Sequence, residues 1–302
     1  MIDESTIISL FYKKDELPVD DCAFLESTSQ LISADAMIED THFRMDWQRP
    51  DQLAKKVFQS NLSDIAAGGG EPAWCMLQLG LPKHPDVEFL HEFAKAFRNE
   101  YEEADCPLIG GDTFRSEKYL FAITIAGKTS RPVRRRANIG DLIYVTGSLG
   151  LSLAGLRHLQ GNLHLSGKVK DLALQKHLCP TARLEWARQI RDQPSLHGMM
   201  DVSDGLVQDL ARFAKASGHQ FHLYLDSIPK HESLTGILTQ LDFAVSAEEY
   251  ELVFCADEAL LFDFEATPIG KVTEGDPSLV VFADQSEKEV IDMKDTGYHH
   301  FQ

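Results

Sequence analysis

The residues of this chain with most chemical reach are aspartates set beside small or apolar neighbours: Asp20 and Asp21 in V-D-D-C-A, Asp35 in I-S-A-D-A, Asp64 in N-L-S-D-I-A-A-G-G-G, Asp112 in I-G-G-D-T, and Asp201 and Asp204 in M-M-D-V-S-D-G-L. Solvated surface acids sit among Lys and Glu, whereas these contexts suggest burial or a cleft. Two carboxylates about 4 Å apart repel by roughly 4 kcal/mol at an effective dielectric of 20, so a convergent set demands protons or cations. Several hard oxygen ligands favour Mg²⁺, which keeps waters and shares its shell with substrate phosphates.

Other residues admit two readings each. Met199 to Val202 reads as a strand entering a helix near Gly205, which puts Ser203 and Asp204 where backbone N–H groups favour an anion, or where a side chain simply caps the helix. Asp64 shares a helix side with Asn61, on a cleft or on a wet face. Gly110-Gly111-Asp112-Thr113 allows close backbone approach to a ligand, or an ordinary turn. His42 follows the acidic Glu39-Asp40 and is either structural or functional; Arg134, Arg135 and Arg136 are either a phosphate clamp or a solvated linker.

Familiar alternatives fail on spacing. The nearest approach to a P-loop, Gly161 to Val169, has five residues between its glycines and Val169 where a hydroxyl is needed. No G-x-G-x-x-G follows an expected strand, and His91-Glu92 is not continued as H-E-x-x-H. Cys22, Cys75, Cys106, Cys179 and Cys255 form no C-x-x-C pair and read as reduced thiols, with no chemistry assigned.

The elements that must position these groups alternate. Helical periodicity runs over Asp51–Ala67, ending at Gly68-Gly69-Gly70, and over Asp86–Ala104; the second half has helices near Leu151–Gln160, Thr181–Asp192 and Leu206–Ser217. Strands are expected at Ala73–Leu81, Leu108–Ile109, Tyr119–Gly127, Leu142–Thr146, Gln220–Leu225, Glu251–Cys255 and Leu279–Phe282. The fold class is therefore α/β, of α+β type, with two mixed domains at 1–136 and 137–302 divided by the basic stretch Arg131–Arg136.

The 302 residues carry 29 Lys+Arg against 47 Asp+Glu, a formal charge of −18, which argues against nucleic acid as a partner. Apolar runs such as Leu120–Ala126 fall short of the roughly 18 residues that cross a bilayer, and the acidic first thirty residues lack a leader's apolar core, so a cytoplasmic location with no membrane contact is expected.

In their order these motifs resemble the thiamine-monophosphate kinases, of the ATP-binding superfamily that includes aminoimidazole ribonucleotide synthetase and selenophosphate synthetase. The resemblance covers nearly the whole chain, through D-D-C-A-F-L (20–25), E-D-T-H-F (39–43), N-L-S-D-I-A-A-G-G-G-E-P (61–72), L-Q-L-G-L-P (77–82), I-G-G-D-T-F-R-S (109–116), G-D-L-I-Y-V-T-G-S-L-G (140–150), P-T-A-R (180–183), M-D-V-S-D-G-L (200–206), E-E-Y-E-L (248–252) and I-G-K-V-T-E-G (269–275). It implies direct γ-phosphoryl transfer from ATP to thiamine monophosphate, with several Mg²⁺ ions, in a cleft between two domains of a homodimer whose N-terminal sheet forms the interface. An amide- or selenide-activating relative, or a non-catalytic nucleotide binder, is the alternative.

Carried over by position, the resemblance makes Asp21, Asp35, Asp64, Asp112, Asp201 and Asp204 metal ligands, with Asp20 a helper, and Asp201, Asp204 and Arg134 catalytic. It places Ser33, Gly111, Asp112, Arg134 and Ser203 on ATP, and His42, Glu248 or Glu249, and Tyr298 on the thiamine phosphate. The chain departs from the family pattern at Val19 for glycine, Ala34 for a hydroxyl, and S-A-E-E-Y-E-L from Ser246 for G-G-E-D-Y-E-L.

Overall fold

A computed structural model describes residues 4–12, 20–257, 262 and 264–293. After the short helix α1 (Glu4–Ser9), a first sheet is built from β1 (Ala23–Leu25), β2 (Gln30–Ile38), β3 (Glu71–Leu81), β4 (Leu108–Arg115) and β5 (Leu120–Lys128), in the order β1-β2-β5-β3-β4. Only β3 and β4 run parallel. Alternation decides the faces: Leu31, Ser33 and Met37 of β2 and Phe121, Ile123 and Ile125 of β5 are buried, on the side taken by helices α2 (Pro50–Ala67) and α3 (Val87–Glu103).

Helix α2 is the spine of the molecule. Proline opens it at Pro50, where a missing N–H costs nothing, and it stops at Gly68-Gly69, the second of which has φ +70°. Leu53, Val57, Phe58 and Leu62 pack into the first core, and Ala66 and Ala67 into a junction with Ile190, Met199 and Phe254 of the second half. Asp86 caps α3 by accepting from the Phe89 amide at 3.1 Å, and Phe93 of α3 stacks on Phe121 with centroids 4.4 Å apart.

The second half runs β6 (Leu142–Thr146), α4 (Leu151–Leu159), α5 (Gly167–Leu178), α6 (Leu184–Arg191), β7 (Leu196–Asp201), α7 (Leu206–Ser217), β8 (Gln220–Tyr224), α8 (Gln240–Ala244), β9 (Leu252–Ala256), β10 (Ala266–Thr273), β11 (Leu279–Phe282) and β12 (Val290–Ile291). Its sheet has the order β12-β11-β8-β10-β6-β9-β7, antiparallel except for β8 with β11. The mixed α/β character expected from the sequence is therefore present in both sheets. Seven elements go beyond the expectation, the long ones β2, α5 and β10 and the short ones α1, β1, α8 and β12, and β4 continues through the glycines to Arg115.

The segment 134–136 straps the edge strand β7. A Cβ on Gly198 would fall 2.1 Å from the Arg136 carbonyl oxygen, so only glycine lets the strap lie this close. This contact fixes the arginines beside the end of β7, where Asp201 lies.

Candidate active site

Three of the aspartates meet. Asp21 (before β1), Asp64 (last turn of α2) and Asp201 (end of β7) each bring a carboxylate oxygen within 4.8 Å of the other two. Elements far apart in the chain hold them: Ser33 Oγ of β2 donates to Asp64 Oδ2 at 2.5 Å, and Ser63 Oγ of α2 donates to Asp201 Oδ2 at 2.6 Å. The second bond crosses from the first sheet's helix to the second sheet. Asp35, exposed on β2, is placed by the buried Asn61, whose side chain accepts from the Asp35 amide at 3.2 Å. Asn61 thus serves the site through a neighbouring backbone rather than as a ligand.

The electrostatics follow from the crowding. Burial, then Asp35, Asp201 and Asp21, pushes Asp64 well above the usual carboxylate range; burial, then Asp21, brings Asp201 up to about 7. Burial also raises Asp21, although the Arg135 guanidinium opposes it. A site where acids converge and resist ionisation is short of positive charge.

Arg135 supplies some of that charge by pairing with Asp21, and its amide donates to Asp20 Oδ1 at 2.9 Å. Arg134 reaches only 3.8 Å from Asp20 and remains two-fifths exposed. The Arg136 amide donates to the Arg134 carbonyl, a tight bend at Arg135 that turns Arg135 inward. The arginine meeting the metal-type carboxylates is therefore the neighbour of the one the family pattern singles out.

At the α7 entrance the capping reading needs correction, while the backbone amides there do hold an anion, one of the chain's own. The amides of Ser203 and Asp204 donate to buried Asp209 Oδ2 at 3.0 and 3.1 Å, so an acid from the first turn reaches back to occupy them. Neither Ser203 nor Asp204 caps the helix; Gly205, with φ +108°, is its N-cap. The side chain of Asp204 pairs with Arg212 of the same helix.

The loop 246–251 is zipped onto the same segment: the Glu248 amide donates to Ser203 O at 2.7 Å, and the Tyr250 amide to Val202 O at 2.8 Å. The two candidate glutamates part company here. Glu248 faces Lys56 and His177, and His42 acts on it electrostatically; burial would raise its carboxyl, and Lys56 foremost overrides that to hold it below the usual range. Glu249 turns the other way. Its Oε1 accepts from the amides of Gly150 and Ser152 at 2.6 and 3.2 Å, a helix-start role for α4. Buried Tyr250 lies in the field of Glu248, Asp35, Asp201 and Asp64 at once, and burial with these charges raises its hydroxyl well above its ordinary range.

Asp112 and Gly111 stand apart. In the row Asp35–Ile123–Leu77–Gly111, and the next, Ala36–Ala122–Gln78–Asp112, three strand spacings separate Asp112 from β2, about 14 Å, and alternation places it on the opposite face from Asp35. A Cβ on Gly111 would lie 1.8 Å from Leu77 O, so the glycine is required by strand packing without any ligand. Of the six metal-type aspartates, then, Asp21, Asp64 and Asp201 converge, Asp35 adds its charge to Asp64, Asp204 pairs with Arg212, and Asp112 does not join them. Tyr298 lies outside the described residues. Ser63, Lys56, His177, Asp209 and Tyr250 were absent from the sequence-based set; only Lys56, a lysine in phase with Leu53 and Ser60 on the buried side of a helix, carried a readable signal.

Comparison with known proteins matches this architecture. The family model described as AIR synthase related protein, N-terminal domain, matches residues 19–129, and that described as AIR synthase related protein, C-terminal domain, matches residues 138–282. Within that fold, the thiamine-monophosphate kinase of Leptospira interrogans is 33% identical over 306 residues, covering 100% of this chain and 98% of its own, and that of Salmonella typhimurium is 38% identical over 252 residues, covering 79% and 75%. The solved structure of AaThiL complexed with AMPPCP and TMP superposes with a TM-score of 0.89 at 29% identity, covering 99% of this chain and 97% of that one. The chain belongs to the thiamine-monophosphate kinase family.

Proposed function

We propose that the chain transfers the γ-phosphoryl group of ATP to the phosphate of thiamine monophosphate, giving thiamine diphosphate and ADP. The observation that carries this reading is the meeting of Asp21, Asp64 and Asp201 within 4.8 Å, held in a protonation-prone state, beside a loop bearing Glu248. An acceptor phosphate oxygen forms the new P–O bond as the bond from the γ-phosphorus to the β,γ-bridging oxygen breaks, and ADP leaves. Because the acceptor is already an anion, no strong side-chain base is needed and positioning dominates.

The donor set is all hard carboxylate oxygen, which fits Mg²⁺. Asp21, Asp64 and Asp201, with Asp35 and Asp204 at the border, would hold such ions, which would offset the charge between two polyanions. Around them the chain's own groups orient the reactants. Arg135 pairs with Asp21 and partly offsets its burial, Arg134 leaves a half-open guanidinium for donor phosphates, Ser63 and Ser33 fix the carboxylates, and Glu248 faces the acceptor with His42. The division near residues 136 and 137 is supported by the gap between the matched family domains. A homodimer is supported by β4, exposed along its length with Leu108, Ile109 and Phe114 uncovered, and by the exposed Ala34 and Ala36 of β2. A cytoplasmic setting accords with the unpaired cysteines; among the described residues no helix is long and apolar enough to cross a membrane.

Purified protein incubated with ATP, MgCl₂ and thiamine monophosphate should release ADP and thiamine diphosphate in equal amounts. Product no greater than in an enzyme-free control rejects the reading.

A further inference from the structure

Lysine is among the residues least often buried whole, yet Lys56 on α2 has a side chain only 1% exposed. Its ammonium lies 2.8 Å from Glu248 Oε1 and 3.0 Å from Glu248 Oε2, so it spans both carboxylate oxygens from the opposite half of the molecule. Glu248 itself is the open member of the pair, 26% exposed, on a loop whose amide is tied to Ser203 O at 2.7 Å. Its backbone sits at φ +55°, a left-handed conformation that a non-glycine residue adopts only when its surroundings impose it.

His177 of α5 closes the third side, with Nδ1 3.3 Å from Glu248 Oε2 and 3.1 Å from Ser152 Oγ. Burial, then Lys56, lowers this imidazole to about 4, so near neutral pH it acts as an uncharged partner and the full positive charge at Glu248 comes from Lys56. The groups facing Glu248 are therefore Lys56, His177, His42 and the Tyr250 hydroxyl, drawn from α2, α5, the turn after β2 and the loop itself.

We infer that Lys56 is a positioning residue for the phosphoryl acceptor: from inside α2 it grips both oxygens of the Glu248 carboxylate and fixes it at the cleft, so that Glu248 receives the cationic, hydrogen-bond-donating part of the acceptor beside the Asp201–Asp204 segment. This rests on the kinase reading above. A buried ammonium does so without competing for the acceptor, because its own surface is closed to solvent and only the glutamate's outer edge is open. On this assignment the pair serves the acceptor alone, so the two substrates' dependence on Lys56 should separate.

Lys56→Met, Glu248→Gln and the double variant test this by steady-state kinetics with each substrate varied, alongside thermal melting. Lys56→Met should raise KM for thiamine monophosphate about ten- to hundredfold, as for loss of one charge-assisted hydrogen bond, with KM for ATP within about twofold. Adding Lys56→Met to Glu248→Gln should leave acceptor KM where Glu248→Gln alone puts it, because the lysine acts through the glutamate. That comparison stands even if the single lysine variant, left with an unpaired buried carboxylate, does not fold. Acceptor KM unchanged in Lys56→Met, an equal rise in KM for ATP, or a further tenfold loss in the double variant overturns the assignment. Wild-type protein inert toward thiamine monophosphate overturns the kinase reading itself, and the role of Lys56 with it.

Discussion

Two groups of buried acids occupy the middle of this molecule, and they are neutralised in opposite ways. In the loop 248–251, Glu248 has Lys56, and Glu251 has Lys176 at 2.6 Å, the Nε and Nη2 of Arg183, and the Thr146 hydroxyl at 2.8 Å. Burial would raise both carboxyls, yet these cations hold them below the usual range. Asp21, Asp64 and Asp201 share one inward cation, Arg135, and all three are raised. Glu251, closed in on all sides, reads as framework, whereas Glu248 keeps only its outer edge open, toward the acceptor proposed above, and Glu249 between them is raised by burial. Among the described residues the aspartate group has less positive charge around it than the loop has, which is what the cation site proposed above requires.

The largest test of that contrast removes one aspartate. Asp64→Asn should cut phosphoryl transfer about a thousandfold, as loss of preorganised charge at a phosphoryl site does. In chelator it should also melt a few degrees higher than wild type, since an acid whose ionisation burial and its neighbours oppose is replaced by a neutral amide. Turnover assays and calorimetry in EDTA check both halves; a lower melting temperature with normal turnover would make the aspartates framework after all.

The same operation on the other group should act on stability instead. Arg183→Met leaves Glu251 with Lys176 and the Thr146 hydroxyl and removes a guanidinium stacked 4.3 Å from the Trp186 ring. Breaking one side of a buried ionic group costs about 3 kcal/mol, and activity per folded molecule should stay within about threefold. Urea unfolding with a parallel rate assay measures this.

How much of this the sequence revealed follows the same division. Aspartates beside alanines and glycines are conspicuous, because such settings suggest burial or a cleft, and all six candidates stood out although a cap, a turn or a wet face could explain some of them singly. Which three converge depends on strand register, since alternation sends Asp35 and Asp112 to opposite faces, and register is set by long-range pairing. Gly110-Gly111 hid β4, as glycine lowers strand propensity even where a close neighbouring carbonyl demands it. β10 was masked by Pro268 and Gly270, which flank an irregularity in its ladder. Helix α5 buries only Ala173, His177 and Leu178, too few for a periodic signal. Asp209 and His177 look like surface residues until the fold closes over them.

The two groups should also give stability slopes of opposite sign. Asp201 titrates near 7 in the fold against 3.8 ordinarily, so the folded chain holds more protons between those values and loses stability as pH rises through them, by up to about 1.4 kcal/mol per pH unit per proton. Glu248 and Glu251 are lowered, so their contribution is present above the ordinary glutamate value and is lost as pH falls through their folded values. Melting in EDTA from pH 4 to 8 should decline toward neutrality, and saturating Mg²⁺ should flatten the decline. An equal decline with and without Mg²⁺ would detach the aspartates from metal binding.

The finest test adjusts the aspartate group without removing a charge. Ser63 Oγ donates to Asp201 at 2.6 Å, and that bond stabilises the ionised form; burial and Asp21 work the other way. Ser63→Ala deletes one donor from a carboxylate that has few, so Asp201 should titrate higher still and the EDTA stability decline should move to higher pH. Ionised Asp201 is what a cation requires, so turnover below neutrality should fall about two- to threefold at limiting Mg²⁺ and recover at saturating Mg²⁺. The loop has no equivalent: Thr146→Val removes a donor from Glu251, but Lys176 and Arg183 remain, and neither the pH midpoint nor the Mg²⁺ requirement should move. If the two hydroxyl deletions behave alike, what separates the groups is depth of burial and not their supply of cations.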